Sequence, residues 1–315
     1  MARSEAPVAP GVRHVAVAAD RAGQRIDNFL STQLKGVPKS LIYRLLRTGR
    51  VRVNGRRSKP DQRVIAGDDV RIPPVRTAAR DAPGEPALAQ LARIESAIIH
   101  EDREFLVIDK PSGIASHGGS GINFGVIELL RASRPHDTLE LVHRLDRDTS
   151  GVLVLSRKRS ALIALQAAIR HGQVEKRYLA LVEGTPAQAK LPIDLPLRKA
   201  VLQGGERMVR VEADGKPSRS LLRSVARYAG ATMVEVALET GRTHQIRVHC
   251  AHIGHPLAGD EKYGSAEFNR ALREKGLKRL FLHAARFEFA LGERSYSFSA
   301  PLAGDLAALL DTLPV

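Results

Sequence analysis

Early in the chain, apolar residues recur at helical spacing. In AGQRIDNFLSTQL, Ile26, Phe29, Leu30 and Leu34 stand at i, i+3, i+4 and i+8, one face of an amphipathic helix. In VPKSLIYRLLRTG, Leu41, Leu45 and Leu46 make a second apolar face, with Pro38 suited to a helix start and Gly49 to its end. Lys39, Arg44 and Arg47 then project away from that core. The following VRVNGRRS is strand-like, and Asn54-Gly55 supplies the positive φ angles of a tight turn. Two short helices and a small sheet therefore fit residues 18–76, after an N-terminal tail at 1–17.

Residues 77–97 are rich in Ala and broken by Pro83, Gly84 and Pro86, which predicts a linker with one helical turn after Pro86. From residue 98 to 315 the texture changes. FLVIDKP reads as a strand ending at Lys110-Pro111, and LELVH and GVLVLSRK as two more. RSALIALQAAIRHG reads as a helix with Ser160 near its N-cap, Gly172 at its end and Leu162, Leu165 and Ile169 facing inward. YLALVEG and TMVEVALETG add strands, so the larger domain is of α+β class, without a repeat of fixed period.

Charge changes the picture. The 315 residues carry 49 Lys and Arg against 34 Asp and Glu, a net +15, which points to a polyanionic partner. The excess is concentrated: Lys35 to Arg63 holds ten basic residues and the single acid Asp61. Anionic lipid would also attract such a surface, but no stretch approaches the roughly 20 apolar residues of a membrane span. The N-terminus lacks the apolar core of a signal peptide, so a soluble cytoplasmic protein is expected. The lone cysteine, Cys250, excludes an intramolecular disulfide and a multi-cysteine zinc site.

Three segments carry candidate chemistry. In HRLDRDTSG, residues 143–151, Asp148 to Gly151 fit a loop held by side-chain-to-backbone bonds. Asp146 follows an apolar run and has basic neighbours on both sides, which makes it a candidate nucleophile or general base. TGRTHQIRVHCAHIGHPLAGD predicts a helix from near Thr243 to Gly254. There Ile246, Cys250 and Ile253 face the core, while His244 and Arg247 share another side near the N-terminus, where an anion is favoured. Its four histidines, 244, 249, 252 and 255, also allow a metal reading. Against that reading, His255 lies past Gly254 and no HExxH pattern is present, so His249 and His252 read better as packing residues. In EKRYLALVEG a strand places Tyr178, Ala180 and Val182 on one face, and Tyr178 alone reads as a core aromatic. No GxSxG, GxxxxGK[ST] or strand-linked GxGxxG is present.

Taken together, these motifs resemble a known family. Arg25-Ile-Asp, LIYRLLRTGRVRVNG and AGDDVRI are similar to an S4 RNA-binding domain, for which Lys39, Arg44, Arg47, Arg50, Arg52, Arg56 and Arg57 are the candidate RNA contacts. HRLDRDTSG, KRYLALV, TGRTHQIRVH and GHPLAGDEKYG, flanked by KPSGIASHGG and LFLHAARFEF, resemble the pseudouridine synthases of the RluA type. HGGSGINFGVIE, residues 117–128, together with the S4-like module, narrows the likeness to a subtype acting on the large ribosomal subunit. The resemblance implies a largely antiparallel catalytic sheet and isomerisation of uridine to pseudouridine in 23S ribosomal RNA, free or in an assembly intermediate, by a monomer without cofactor or metal. By motif position, Asp146 would be the essential carboxylate, as nucleophile or as base at the ribose 2′ position, and Arg247 would pair with it. Arg144 would help extrude the uridine, and Tyr178 would stack on the uracil or help deprotonate its carbon 5. Ile246 would line the pocket, with Arg242 and His244 among the substrate contacts. LRKAVLQGGERMVRV, residues 197–211, is a further basic candidate for RNA contact or a solvated hairpin. A non-catalytic RNA-binding factor and a metal-dependent hydrolase using His244, His249, His252 and Asp146 are the competing readings.

Overall fold

The computed structural model describes residues 11–34, 37, 39–75, 86–119, 124–201 and 207–314, without the side chains of Asp20, Lys39, Val201 and Arg207. Pro38 as a helix start, residues 1–10 of the tail, residues 77–85 of the linker, residues 120–123 and the middle of segment 197–211 lie outside the described residues. The chain divides into two units, residues 1–84 and 85–315.

In the first unit, helices α1 (Ile26–Gln33) and α2 (Lys39–Arg47) pack on strands β1 (Arg13–Ala16), β2 (Arg52–Val53), β3 (Arg56–Arg57) and β4 (Asp69–Ile72), in sheet order β1-β4-β2-β3. The α1 face is as expected, with Ile26, Phe29, Leu30 and the following Leu34 all buried. On α2 the inward residues are Ile42, Leu45 and Leu46, and Leu41 is only partly buried, so the face is turned from the one expected. Asn54 and Gly55 have φ of 49° and 74°, the left-handed pair that a two-residue hairpin needs. Asp27 explains the Arg-Ile-Asp start. It accepts hydrogen bonds from Arg25 Nε and Nη2, the Tyr43 hydroxyl and Asn28 N–H, tying the two helices together. The tail expected at 1–17 needs correction, because Arg13–Ala16 pairs antiparallel with β4 and closes the sheet edge.

The second unit begins earlier than residue 98. Helix α3 (Leu88–Glu95) occupies the expected linker, two turns rather than one, and buries Ile94 completely against the core. Burial of that one side chain contributes roughly 1.5–3 kcal/mol, and Leu91 packing on the same core and the ion pair of Glu95 with Arg134 add to it. There follow β5 (Ile98–Glu101), β6 (Phe105–Lys110), α4 (Val126–Ser133), β7 (Glu140–Leu141), β8 (Ser150–Ser156), α5 (Arg159–Arg170) and β9 (Val174–Glu183). Next come β10 (Lys190–Asp194), β11 (Leu197–Val201), β12 (Arg207–Val211), β13 (Arg219–Tyr228) and β14 (Ala231–Leu238). The chain ends with α6 (Gln245–His252), α7 (Ala266–Glu274), β15 (Leu282–Leu291), β16 (Arg294–Ser299) and α8 (Gly304–Asp311).

Ten strands form one sheet, in order β10-β13-β14-β9-β15-β8-β6-β5, with β16 on β15 and β7 on β8. Its pairings are antiparallel except β15 with β8, which agrees with the α+β, largely antiparallel class. The parallel seam constrains one residue. Gly151 has φ of 107°, and a Cβ there would stand 2.2 Å from the Ala284 carbonyl oxygen. The two sheet faces carry separate cores. On one, Tyr178, Ala180 and Val182 pack with Val236, Ile246 and Cys250, so α6 lies over β9 and β14. On the other, Leu162 and Leu165 of α5 meet Val152, Val154 and Phe287. Helix α5 starts at Arg159 with Lys158 as its cap residue, so Ser160 is already inside the first turn, while Gly172 ends it as expected with φ of 71°.

Candidate active site

Asp146 sits in the loop between β7 and β8, and that loop is pinned by the segment following β6. Leu145 N–H donates to Ser116 Oγ at 2.9 Å, and the same hydroxyl donates to Leu145 O at 2.8 Å. Gly113 N–H donates to Arg147 O, and Ser112 Oγ donates to Asp148 O. Lys110, fully buried, donates through Nζ to Pro111 O, Ile114 O and Arg147 O at 2.9, 2.8 and 3.1 Å. Burial pulls this ammonium down to about 7, opposed by the carboxylates of Asp148 and Asp146. Inside the loop, Thr149 N–H donates to Asp146 O. The backbone on both sides of Asp146 is thereby fixed while its carboxylate stays partly exposed, at 31%, with His244 beside it.

The neighbours in HRLDRDTSG separate as the burial pattern requires. His143 stacks on Phe287 with centroids 4.7 Å apart and accepts from Val154 N–H, and burial together with Lys176 pushes it down to about 3, so it is neutral. Arg144 is exposed and reaches His117 Nε2 at 3.3 Å. Arg147 pairs at the surface with Asp148. Asp148 and Thr149 belong to the loop, but Ser150 and Gly151 already form the start of β8.

Across from the loop, Tyr178 on β9 is buried within the core beneath α6. Burial, with the negative charge of Asp146, raises its pKa well above the ordinary tyrosine value, so the phenol stays protonated. Helix α6 starts at Gln245 rather than near Thr243, because His244 takes a left-handed φ of 54°. Gln245 holds this turn. Its Oε1 accepts from Thr240 Oγ1 and Arg242 N–H, and its Nε2 donates to Arg219 O and Ser220 Oγ. Arg242 is exposed and donates from Nε to Pro217 O. Ile246 is buried at 3% exposure, beside Cys250 and with Ile253 packed at the edge.

The expected partnership of Arg247 with Asp146 is corrected. The Arg247 fork closes on Asp260, Nε to Oδ2 and Nη2 to Oδ1, both at 2.7 Å. Asp146 adds to the negative field around Arg247 without being the carboxylate it grips. Burial by itself would raise the Asp260 pKa; the Arg247 guanidinium outweighs this and holds the carboxyl below its usual range. Asp260 also accepts from Lys262 N–H and Tyr263 N–H. The side chain that does approach Asp146 is His244, whose Nε2 lies 3.9 Å from Asp146 Oδ2 and is charged only when the imidazole is protonated.

Of the expected residues, Tyr178 and Ile246 share one core, Asp146 lies 3.9 Å from His244, and the charge of Asp146 reaches Tyr178 and Arg247, but several supporting residues were missed. Lys110, Ser112 and Ser116 lie in KPSGIASHGG, and Asp260 and Tyr263 in GDEKYG. Lys110, Ser112, Asp260 and Tyr263 each stand next to a Pro or Gly, a polar side chain beside a turn residue, whereas Ser116 carried no local signal. The four histidines do not converge. His244 meets Tyr263, His249 meets Ser220 and Leu195 O, and His255 meets Glu183 O.

In the first unit, Arg44, Arg47, Arg50, Arg52, Arg56 and Arg57 are all exposed. Arg44, Arg47, Arg57 and Lys59 rim a groove of about 570 Å³ whose wall includes Tyr43, 42% exposed.

The RNA pseudouridylate synthase family model matches residues 104–252, and the S4 domain model matches residues 24–70. The chain is 56% identical over 284 residues to ribosomal large subunit pseudouridine synthase C of Salmonella typhimurium, covering 89% of each. It is 50% identical to the protein of the same name from Haemophilus influenzae, covering 99% of this chain and 98% of the relative. The solved structure of human RNA pseudouridylate synthase domain containing 1 is similar with a TM-score of 0.57 and 27% identity, over 68% of this chain and 86% of that one. Likeness at this level, with family models matching in both units and half or more of the residues identical over nearly the whole chain, makes the chain a member of the RNA pseudouridine synthase family.

Proposed function

We propose that this enzyme converts uridine to pseudouridine at defined sites of 23S ribosomal RNA in the bacterial cytoplasm, as a monomer, with Asp146 as the reactive carboxylate and no cofactor. The observation that carries the reading is a partly exposed carboxylate on a loop whose backbone is pinned on both sides, near a buried tyrosine and a helix bearing a gripped arginine. Isomerisation breaks the N-glycosidic bond, turns the uracil and rejoins the sugar to ring carbon 5. Asp146 acts at the ribose, as nucleophile or as the base that takes the 2′ proton. Tyr178 is better suited to stacking than to deprotonation, because its phenol is held protonated by burial and by Asp146. Exposed Arg144 fills the space of the extruded uridine, since leaving the stack costs a few kcal/mol that a cationic wedge offsets. Arg247 acts on Asp146 through the field rather than by contact, with Ile246 lining the pocket and Arg242 and His244 near the RNA. The basic face of the S4 domain, including Lys39, supplies the sequence-independent affinity.

The test is tritium release from ribosomal RNA labelled at uridine carbon 5. Asp146→Asn should abolish release while RNA binding persists; retained turnover removes Asp146 from the chemistry. Mapping pseudouridines in 23S RNA from cells lacking the protein identifies the target sites, and an unchanged map would refute the substrate assignment.

A further inference from the structure

The Tyr263 hydroxyl joins two elements of the second unit. It accepts from Val209 N–H on β12 at 3.0 Å and lies 2.8 Å from His244 Nδ1. Its ring carries the Arg247 guanidinium 5.1 Å above the centroid, and the His244 imidazole meets it edge-on at 5.5 Å. A phenol has one proton to give, and Nδ1 is the acceptor placed for it. His244 has a lowered proton affinity, mainly from burial; Arg247 and Lys262 lower it further, while Asp146 and Asp260 oppose this. A neutral imidazole that accepts at Nδ1 carries its proton on Nε2. That nitrogen is the one 3.9 Å from Asp146 Oδ2.

We propose that Tyr263 is a positioning residue: its hydroxyl fixes His244 as the Nε2–H tautomer and so presents a proton donor to the Asp146 carboxylate. The proposal rests on the role given to Asp146 above. At 3.9 Å the approach is longer than a hydrogen bond, and such contacts commonly tighten in the substrate complex. Because the same hydroxyl also holds β12, Tyr263 braces the β11–β12 hairpin against His244, the imidazole that faces Asp146.

Tyr263→Phe in the full chain separates the hydroxyl from the ring, which stays under Arg247. Nitrogen NMR of histidine-labelled protein, with His244 assigned through His244→Gln, should show a bare Nδ1 and a protonated Nε2 in the native enzyme and a mixture of tautomers in the Phe variant. A proton on Nδ1 in the native enzyme, or an unchanged tautomer in the variant, overturns the proposal. In single-turnover tritium release the rate constant should fall about tenfold, the scale of one hydrogen bond, with KM unchanged. A purely structural brace would raise KM and leave the rate constant alone, which also overturns it. In a His244→Gln background, where an amide replaces the Nε2 donor, Tyr263→Phe should add nothing further; additive losses argue against the coupling. Native protein that released no tritium would sink the proposed reaction, while the tautomer spectra would still decide the Tyr263 assignment.

Discussion

Asp260→Asn and Asp146→Asn are the same chemical change at two carboxylates near Arg247, and the structure assigns them very unequal consequences for stability. The Asp260 side chain is fully buried and receives both prongs of the Arg247 fork at 2.7 Å, along with two backbone N–H groups. Removing its charge leaves a guanidinium that is 9% exposed without its counterion, a loss on the order of 3–5 kcal/mol. Asp146 is 31% exposed and 3.9 Å from His244, a contact of the kind worth at most about 1 kcal/mol. Urea denaturation of the full chain should therefore show a large fall in midpoint for Asp260→Asn and little change for Asp146→Asn. The pH dependence has a definite sign. The folded Asp260 pKa is below 3.8, so its contribution is present above 3.8 and is lost as pH falls toward the folded value. Asp260→Asn should lack that part of the acid limb. Equal losses for the two variants, or an Asp260→Asn protein within about 1 kcal/mol of the native one, the range of an exposed pair, would refute the assignment of Arg247 to Asp260.

Three further outcomes follow from the geometry. Gly151→Ala places a Cβ 2.2 Å from the Ala284 carbonyl oxygen at a φ of 107°, and should lower stability by roughly 3 kcal/mol; a native-like melting temperature would contradict the tight β8–β15 seam. Burial lowers Lys110 to about 7 from 10.5, so between those pH values the unfolded chain binds more protons and native stability rises with pH, by at most about 1.4 kcal/mol per pH unit. Lys110→Met should lose that slope in denaturation midpoints measured across the window, and should slow tritium release because the Asp146 loop loses its anchor. Replacing Arg44, Arg47 and Arg57 by Ala should reduce the salt slope of binding to a single-stranded ribosomal RNA fragment by about 0.7 for each phosphate no longer neutralised, and an unchanged slope would place the RNA on another face.

Where local pattern decides the structure, the sequence could be read directly. The α1 face, the Asn54-Gly55 turn and the strand alternation that puts Tyr178, Ala180 and Val182 together all depend on residues a few positions apart. Errors arose where a short element is stabilised by distant contacts. Strand Arg13–Ala16 has little pattern of its own and exists through its pairing with β4, and α3 owes its place to Ile94 in a core built from residues far along the chain. Ala, Pro and Gly in residues 77–97 made α3 look like linker, and four residues before the first helical pattern were too few to separate from a tail.

The active site shows the same limit at the level of single side chains. Asp146 stood out as a charge following an apolar run, and Tyr178 and Arg247 gained their expected roles from the motif resemblance, yet which carboxylate Arg247 grips is fixed by three dimensions. Asp260 and Asp146 both carry one negative charge, and charge alone favours neither. The choice depends on desolvation. A fully buried carboxylate needs a bidentate cation, whereas one exposed at 31% does not, so the fork goes to Asp260 and Asp146 is left partly open to solvent. That division also suits the chemistry. A carboxylate closed into an arginine fork has its lone pairs occupied, while one whose neighbours Leu145 and Arg147 are held by Ser116, Lys110 and Gly113 keeps its oxygens available, as the proposed attack at a ribose requires.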